Sequence, residues 1–385
     1  MSVGWDTVAS VSSWQGLAPL DLDTRADVCV VGLGASGLAA VDALCARGLD
    51  VVGIDAGRVA GAAAGRNGGF LLAGAARPFH QAVSDWGVEA ATGLYRQTLA
   101  EIDRLAEILG PAVVFRVGSI RLAGLPGPPK GPAEAEDRAR ELADCRAQAA
   151  ALLKAGFAVE TYHGPLGEGL YLPHDAAMNP AARSLALAGP LSTRARLYEG
   201  TRAASIRSGL VSTERAAVSA GAVIVAVDGG LAELLPTLSS RVRTARLQML
   251  SSAPIDERRL PCPVYGRWGY DYAQQDGEGR VFVGGGRDLF AADEWTHDAT
   301  PTAAVQAYVE QVARRMVGHA VSVSHRWAAT VGYTDDGRAL VTPVAEGVVA
   351  CGGYSGTGNL VGPVAARAAV ALVLDGTPPP AYFAS

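Results

Sequence analysis

The sequence VVGLGASGLAA, residues 30–40, carries three glycines in the spacing G-x-G-x-x-G directly behind the apolar run DVCVV. We predict that DVCVV is a buried parallel strand, that SGLAAVDALCARG is an amphipathic helix ending at Gly48, and that DVVGID is the next strand. Gly32 permits a tight turn out of the strand, Gly34 lets a diphosphate approach the backbone, and Gly37 lets the helix pack close to the strands. The N-terminus of the helix then faces the negative charge of the ligand.

An acidic residue completes this βαβ unit. Asp55 stands at the end of the second predicted strand, where its carboxylate can accept hydrogen bonds from an adenosine ribose. The strand, helix, second strand and carboxylate in register favour dinucleotide binding over a glycine-rich turn that is only structural. This unit alone leaves NAD and FAD both open.

Length and composition predict a folded protein of two domains. The 385 residues are too many for one ordinary core, and 47 glycines with 49% apolar residues are typical of a compact globular chain. The formal net charge is −5, and no Lys/Arg-rich block is present to neutralise a row of phosphates. Nucleic acid is therefore not an expected partner.

The remaining compositional signals concern metals, disulfides and membranes. Five scattered cysteines without a C-x-x-C pair predict neither a disulfide framework nor a zinc site, and the six histidines show no metal-ligand spacing. The first twenty-five residues lack the features of a secretory signal, and no run of about 18 apolar residues follows. We expect a cytoplasmic protein with no metal and no membrane partner.

A second glycine-rich stretch, AGRVAGAAAGRNGGFLLAG, follows Asp55. Its glycines alternate with alanines around Arg66 and Asn67, so the stretch can lie flat against a ligand with its amides exposed. Arg66 can bind a phosphate or a flavin carbonyl.

A third glycine-rich stretch lies near the C-terminus, where GVVACGG predicts a strand, YSGTGN a turn and LVGPVAARAAVALVL a helix. Its backbone amides and the positive end of the helix dipole suit the anionic edge of a reduced flavin. The alternative is an ordinary closing αβ unit in which Gly352, Gly353, Gly356 and Gly358 only make the turn. The presence of GRNGG favours cofactor contact.

These stretches together resemble the D-amino acid oxidase, glycine oxidase and sarcosine oxidase family of FAD-dependent oxidoreductases, especially its gamma-glutamylputrescine oxidase branch. GAAAGRNGG is similar to a segment of that branch, with Ala64 where the family often has serine. The further similar segments, in chain order, are WQGLAPLDLDTRADVCVVG, GSIRLA, MNPAARSLALA, AVIVAVDGGLAELLPTLSSRVRTARLQML, RWAATVGYTDDGRALV and GVVACGGYSGTGNLVGPVAARAAVALVL. The resemblance covers almost the whole chain.

The resemblance implies an α/β fold, α+β overall, with a Rossmann-like FAD-binding domain and an interleaved antiparallel-sheet substrate domain. The FAD-binding domain would contain residues 1–77, 176–245 and 328–385, and the substrate domain residues 78–175 and 246–327. The implied FAD contacts are Gly32, Gly34, Ala35, Ser36, Gly37, Asp55, Ala56, Arg58, Ala64, Gly65, Arg66, Asn67, Gly68, Gly69, Ala203, Gly353, Tyr354, Ser355, Gly356, Thr357, Gly358, Asn359 and Leu360.

The activity implied by the resemblance is removal of hydride from a C–N bond to the flavin, followed by hydrolysis of the imine and reoxidation by O2 to H2O2. The substrate would be an amine or amino acid, such as glycine, an N-substituted glycine or another secondary amine. Two alternatives remain: a dehydrogenase that passes electrons to a quinone or carrier protein, and a flavin-binding subunit without turnover. A nicotinamide-dependent dehydrogenase is disfavoured because a second nucleotide motif is lacking.

The substrate-binding residues depart from the family pattern. Val331 stands where amino acid oxidases of the family carry an arginine for the substrate carboxylate, and where sarcosine oxidases carry a cysteine bonded to FAD. The FAD is therefore expected to be noncovalent. Asn359 and Leu360 stand where the sarcosine oxidases have a lysine. The substrate is either an amine without a nearby carboxylate, or the carboxylate is held elsewhere.

Replacement candidates cluster in PVYGRWGYDYAQQ. If YDYAQQ is a strand, Tyr270 and Tyr272 share one face, and Tyr272 is nearest to where relatives keep a carboxylate-binding tyrosine. The alternative is an aromatic strand packed on its neighbours. The candidate substrate contacts in this segment are Tyr265, Arg267, Trp268, Tyr270 and Tyr272. Further candidates are Arg326, Tyr333, Tyr354, Arg77 and His80.

Overall fold

A computed structural model describes residues 3–384, and these form two compact units. Unit A consists of Val8–Arg66, Pro180–Ala245 and residues 330–384, and unit B consists of residues 3–7, Asn67–Asn179 and Arg246–Ala329. Four segments that the sequence analysis assigns to the FAD-binding domain belong to unit B: residues 3–7, 67–77, 176–179 and 328–329. Two of them pair with each other, since Phe70 is opposite Ala177, and residues 177–178 also pair with residues 114–115 of unit B.

Within the described residues the chain forms 19 strands and 11 α-helices. The strands are β1 (Thr24–Val31), β2 (Val51–Ile54), β3 (Phe70–Leu71), β4 (Val114–Phe115), β5 (Ser119–Leu122), β6 (Glu160–Gly164), β7 (Gly167–Leu172), β8 (Ala176–Met178), β9 (Arg196–Tyr198), β10 (Ala203–Arg207), β11 (Leu210–Thr213), β12 (Ala217–Val225), β13 (Arg243–Ser252), β14 (Val264–Gly266), β15 (Asp271–Gln275), β16 (Val281–Gly284), β17 (Val323–Tyr333), β18 (Leu340–Ala345) and β19 (Val348–Gly352). The helices are α1 (Ala9–Ser12), α2 (Ala35–Ala46), α3 (Ala63–Arg66), α4 (Phe79–Trp86), α5 (Val88–Leu109), α6 (Pro132–Lys154), α7 (Pro180–Leu191), α8 (Leu231–Leu234), α9 (Ala291–Glu294), α10 (Ala303–Val317) and α11 (Val361–Asp375).

The core of unit A is a mixed sheet in the order β10-β11-β12-β1-β2-β9, with β19 also paired to β12 and β18 paired to β19. β1 lies parallel to both β12 and β2, so Val30 is opposite Ile224 on one side and Gly53 on the other. The last four residues of β1 are buried, because a parallel sheet is covered on both faces. The predicted strand–helix–strand unit is present. Helix α2 follows β1 and precedes β2 in the chain, and it packs against α11.

Unit B is built on a second sheet in the order β17-β13-β16-β15-β14-β5-β7-β6. Its neighbouring strands are antiparallel where their registers are described, except for β14 and β5, which are parallel. Helix α10 covers it, with Val305, Val309 and Val312 packed in one core with Leu250 and Val283. A small sheet, β3-β8-β4, joins the segment after GRNGG to the segment before α7.

No helix among residues 3–384 is both long enough and apolar enough to cross a membrane.

Candidate functional site

Two positions of the turn after β1 have room for glycine only. Gly32 has a φ of +96°, and a Cβ atom there would stand 2.6 Å from the Ala226 carbonyl oxygen. A Cβ atom on Gly37 would stand 1.7 Å from the Gly32 carbonyl oxygen. Both positions therefore need glycine for the reasons that the spacing predicts: one for the turn, the other for close packing of α2.

The middle glycine of the motif is less crowded than the other two. A Cβ atom on Gly34 would meet only the Cβ of Ala64, at 3.4 Å. Helix α2 begins at Ala35, and the first N–H groups of a helix have no partner inside it. With the positive end of the helix dipole at the same place, the turn suits the diphosphate of a dinucleotide.

Asp55 holds this turn from the end of β2. Its Oδ2 accepts a hydrogen bond of 2.8 Å from the Leu33 amide, and its Oδ1 accepts one of 2.8 Å from the Gly57 amide. Burial raises the pKa of the Asp55 carboxyl, and these two amides oppose that rise. A carboxylate has about four lone-pair sites, so acceptor capacity remains for a ribose hydroxyl.

The sequence analysis expects that the stretch GAAAGRNGG can lie flat against a ligand, and part of it is helical instead. Ala63–Arg66 forms one helical turn, α3, because Gly65 fits against Ala60, where a Cβ atom would stand 2.2 Å from the Ala60 carbonyl oxygen. After this turn, the Asn67 Oδ1 atom accepts a hydrogen bond of 2.8 Å from the Gly69 amide. The stretch thus consists of one helical turn followed by a turn that the Asn67 side chain closes.

The C-terminal glycine turn uses part of its backbone internally. The amides of Gly353 and Tyr354 donate to the Asp228 Oδ1 atom at 2.9 and 3.2 Å, so these two amides are engaged within the chain, whereas the prediction has them free for a flavin. The Ser355 amide donates to the Gly332 carbonyl oxygen at 2.9 Å. Within residues 3–384, the amides of Gly356 and Gly358 donate to no backbone oxygen of this turn.

Tyr354 is likewise an internal residue and not an open substrate contact. Its hydroxyl oxygen accepts a hydrogen bond of 2.7 Å from Ser36 Oγ, at the start of α2. Burial raises the pKa of the Tyr354 phenol well above its ordinary value. Tyr354 therefore connects the C-terminal turn to the first glycine motif.

Other predicted cofactor residues belong to unit A. Ala56 follows Asp55, Ala203 begins β10, and Leu360 directly precedes α11. The Arg58 Nη2 atom donates to the Trp14 carbonyl oxygen at 3.2 Å, so Arg58 holds the N-terminal segment. The Asn359 carbonyl oxygen accepts a bond of 3.3 Å from Arg183, which is buried on α7.

In unit B, Tyr272 stands beside the glycine stretch. A Cβ atom on Gly68 would be 3.0 Å from Tyr272 Cε2, and the Phe70 ring meets the tyrosine ring edge-on at 5.8 Å. Tyr265 on β14 is the direct cross-strand partner of Tyr272 on β15, so the two side chains project from the same face of the sheet. These two predicted residues are brought together.

Tyr270 lies outside that strand, so the condition on which a common face with Tyr272 depends is not met. Strand β15 begins at Asp271, and Arg267–Gly269 form a 3₁₀ turn. Arg267 and Trp268 have φ values of +50° and +54°, a conformation that the pattern of alternating aromatic residues does not signal. Tyr270 ends this turn, its amide donating to the Arg267 carbonyl oxygen.

Arg267 is bound by acidic side chains of unit B. Its Nη1 donates to Asp271 Oδ2 at 2.8 Å and to the Tyr308 hydroxyl at 2.9 Å, and its Nη2 donates to Asp288 Oδ2 at 2.5 Å. Asp271 is fully buried. The guanidinium of Arg267, a candidate substrate contact, is thus engaged in an ion-pair cluster within unit B.

The other basic candidates in unit B are also paired. Arg326 donates to Gln306 Oε1 at 3.1 Å and to Glu310 on α10. Arg77 pairs with Asp85 at 2.5 Å, and His80 Nε2 lies 3.1 Å from Asp144. These contacts hold helices in place.

Three residues with structural importance were missed at the sequence level. Trp5 donates from Nε1 to the Asn67 carbonyl oxygen at 2.9 Å and stacks on Phe282. Asp175 is buried and accepts hydrogen bonds from Ser119 and Ala73. Asp228 binds the C-terminal turn. Only Trp5 had a signal, as an aromatic residue in a polar N-terminal segment.

Residues 3–384 contain no group of three acidic, histidine or cysteine side chains arranged for a metal.

Comparison with known proteins finds relatives of this chain. A family model described as FAD dependent oxidoreductase matches residues 27–372. The probable oxidoreductase OrdL of Rhizobium meliloti is 26% identical over 363 residues, 88% of this chain and 80% of that protein. Gamma-glutamylputrescine oxidoreductase of Escherichia coli is 35% identical over 83 residues, 22% of this chain and 20% of that protein. The crystal structure of glycine oxidase from Geobacillus kaustophilus has a TM-score of 0.72 at 20% identity, covering 91% of this chain and 94% of that one.

Proposed function

Because this chain belongs to the FAD dependent oxidoreductase family, we propose that it oxidises the C–N bond of a small amine or amino acid. The family's cofactor is FAD. The Gly34 turn, where a Cβ atom would meet only Ala64, and the Asp55 carboxylate bonded to the Leu33 amide fit the diphosphate and ribose of that cofactor. This fit is the observation that carries the proposal. The names of glycine oxidase and gamma-glutamylputrescine oxidoreductase support glycine, an N-substituted glycine or another secondary amine as the substrate.

When bound, FAD supplies the hydride acceptor: the amine loses a hydride and a proton to become an imine that water hydrolyses, and O2 takes up two electrons and two protons as H2O2. The chain's own residues have to hold the reacting carbon in place and favour the neutral amine. We assign substrate contact to Tyr272 and Tyr265, since they share a face of the unit B sheet. Gly68 and Phe70 border the Tyr272 ring.

The ion pairs of the candidate arginines bear on the class of substrate. Arg267 and Arg326 are both paired with carboxylates of unit B, so neither is assigned to a substrate carboxylate. Val331, where amino acid oxidases resembling this chain carry an arginine, is a buried residue of β17. An amine, or an amino acid whose carboxylate is held by tyrosine hydroxyls, fits this arrangement best.

The test is the visible spectrum of the purified full chain, recorded anaerobically before and after addition of glycine, N-alkyl glycines, D-amino acids and polyamines. Bleaching of the flavin band by one of these compounds, with recovery and H2O2 on admitting air, is the expected result. Acid precipitation should leave all flavin in the supernatant, because the proposed FAD is noncovalent. A protein that does not take up FAD would contradict the proposal at its first step.

Two further outcomes separate the alternatives. Bleaching by an amine, followed by slow reaction with O2 and fast reduction of an artificial dye, would indicate a dehydrogenase that uses a quinone or carrier. A flavin that no amine reduces would favour a flavin-binding subunit without turnover.

A further inference from the structure

Asp228 has an unusual backbone conformation and an unusual set of partners. It lies just after β12, and its φ is +42°, in the left-handed region that residues other than glycine rarely adopt. Such a conformation persists only where the surrounding structure holds it. The contacts of the side chain show what holds it.

The Asp228 carboxylate accepts amides from two other segments of unit A. Oδ1 accepts from Gly353 at 2.9 Å and from Tyr354 at 3.2 Å, just after β19. Oδ2 accepts from Gly332, near the end of β17, at 3.1 Å. Hydrogen bonds to an ionised acceptor are about twice as strong as neutral ones, so one carboxylate ties three segments together.

Two glycines make room for this arrangement. A Cβ atom on Gly332 would stand 2.9 Å from Asp228 Oδ1, and one on Gly352 would stand 3.0 Å from Asp228 Cα. Both partner segments thus leave space for the aspartate, and the C-terminal turn is shaped around its carboxylate.

The connection continues from the C-terminal turn to the first glycine motif. The Tyr354 amide binds Asp228, and the Tyr354 hydroxyl accepts the hydrogen bond from Ser36. Gly362 at the start of α11 leaves room for this pair, since a Cβ atom there would stand 2.8 Å from Ser36 Oγ. A continuous set of contacts therefore runs from Asp228 through Tyr354 to the N-terminal turn of α2.

We propose that Asp228 is a positioning residue for FAD, whose ionised carboxylate holds the Gly353–Tyr354 turn and, through Tyr354, Ser36 in the conformation that retains the cofactor. Neutralising this carboxylate removes its charge and turns one of its two acceptor atoms into a donor, which weakens the hydrogen bonds from the turn and loosens the hold on FAD. The inference uses the cofactor of the family and is independent of the substrate proposed above.

The titration of this group falls in an accessible range. Burial raises the pKa of the Asp228 carboxyl to about 6. The titratable side chains that interact with it are Tyr354 and Cys351. Burial raises the pKa of the Cys351 thiol to about 11 and that of the Tyr354 phenol well above its ordinary value. Asp228 is therefore the member of this cluster that changes charge between pH 5 and pH 8.

The experiment measures the rate of FAD release from the loaded full chain, by recovery of flavin fluorescence, from pH 5 to pH 8.5. Wild-type release should accelerate as the pH falls through about 6. Asp228→Asn should release FAD about tenfold faster than wild type at pH 8, as expected for loss of a hydrogen bond to a charged group, and should show no inflection near pH 6. Should this variant not fold, Asp228→Gly serves, because glycine adopts a positive φ without strain.

Two matched variants make the result specific. Ser36→Ala breaks the far end of the connection, so it should release FAD faster at every pH while keeping the inflection. Asp375→Asn removes an exposed carboxylate of α11 that pairs with Arg47, and it should behave as wild type. An inflection that persists in the Asp228 variant, or wild-type release that is independent of pH, would overturn the proposal. Neither result depends on finding a substrate.

Discussion

The ring of Tyr272 lies against the backbone of Gly68, so closely that a methyl group on Gly68 would stand 3.0 Å from the Tyr272 Cε2 atom. Gly284 limits the phenol end of the same ring, because a Cβ atom there would stand 2.4 Å from the Tyr272 Cζ and Oη atoms. Two glycines far apart in sequence thus fix the position of one candidate substrate contact.

We predict that Gly68→Ala destabilises the protein by about 1–3 kcal/mol, the usual effect of overpacking, and that Gly284→Ala destabilises it more. The added methyl group on Gly68 meets the flat edge of the ring, whereas the one on Gly284 meets the phenol end at a shorter distance. Urea unfolding of the FAD-loaded chain measures both. If Tyr272 holds substrate, KM should rise in both variants.

The control for these substitutions is Gly189→Ala in α7, where a Cβ atom meets nothing within 4 Å. Alanine in a helix is favoured over glycine, so this variant should be neutral or slightly stabilised. Each alanine should also be combined with Tyr272→Ala. If each alanine lowers the free energy of unfolding as much in the Tyr272→Ala background as in the wild type, the contact with Tyr272 is not the cause of the loss.

The sequence predicts the first glycine turn well because every requirement of that turn is local. Gly32, Gly34, Gly37 and the helix after them lie in one short segment, and their roles follow from backbone geometry. The C-terminal turn is different. Its Gly353 and Tyr354 amides bind Asp228, which lies 125 and 126 residues earlier, and no local pattern indicates that pairing.

The segment PVYGRWGYDYAQQ shows a second limit of sequence patterns. The alternation predicts a strand through Tyr270, yet Arg267 and Trp268 adopt positive φ values. Glu141 on α6 stabilises this turn, because its carboxylate accepts hydrogen bonds from the amides of both residues. A buried carboxylate on a distant helix thus overrides the local preference for a strand.

Arg267 gives a prediction that separates a structural role from substrate binding. Arg267→Met leaves the buried Asp271 carboxylate without its guanidinium, which should destabilise the chain by about 3–5 kcal/mol. Thermal and urea unfolding measure this. The matched change is Arg47→Met, which removes an exposed pair with Asp375 and should have little effect. A stable Arg267→Met protein with a large rise in KM would instead assign Arg267 to the substrate.

Trp5 gives a prediction about the support of the glycine stretch. Trp5→Phe keeps a ring stacked on Phe282 but removes the Nε1 donor to the Asn67 carbonyl oxygen, so about 1 kcal/mol of stability should be lost. Trp5→Ala also removes the stacked ring and should cost about 3–5 kcal/mol. Urea unfolding gives both values, and Trp268→Phe, at a partly exposed ring, is the control. Equal losses in the two Trp5 variants would contradict a role for the stack.

The last prediction concerns pH and Asp175. Burial raises the pKa of the Asp175 carboxyl to about 7, even though Ser119 Oγ donates to it at 2.6 Å. In the unfolded chain the pKa of aspartate is about 3.9. Between about pH 4 and pH 7 the folded chain therefore holds a proton that the unfolded chain has released. The free energy of unfolding should fall as the pH rises through this range, by up to about 1.4 kcal/mol per pH unit.

Asp175→Asn should remove this contribution, because an amide has no proton to lose and its oxygen still accepts from the Ala73 amide. Asp228 contributes in the same direction only up to about pH 6, so the difference between wild type and variant should be clearest from pH 6 to pH 7. Urea unfolding at half-unit steps measures the slope. Glu107→Gln changes an exposed carboxylate of α5 and should keep the wild-type slope. A variant with the full wild-type slope would mean that Asp175 is ionised throughout this range, with its charge balanced by the Ser119 hydroxyl and the Ala73 amide.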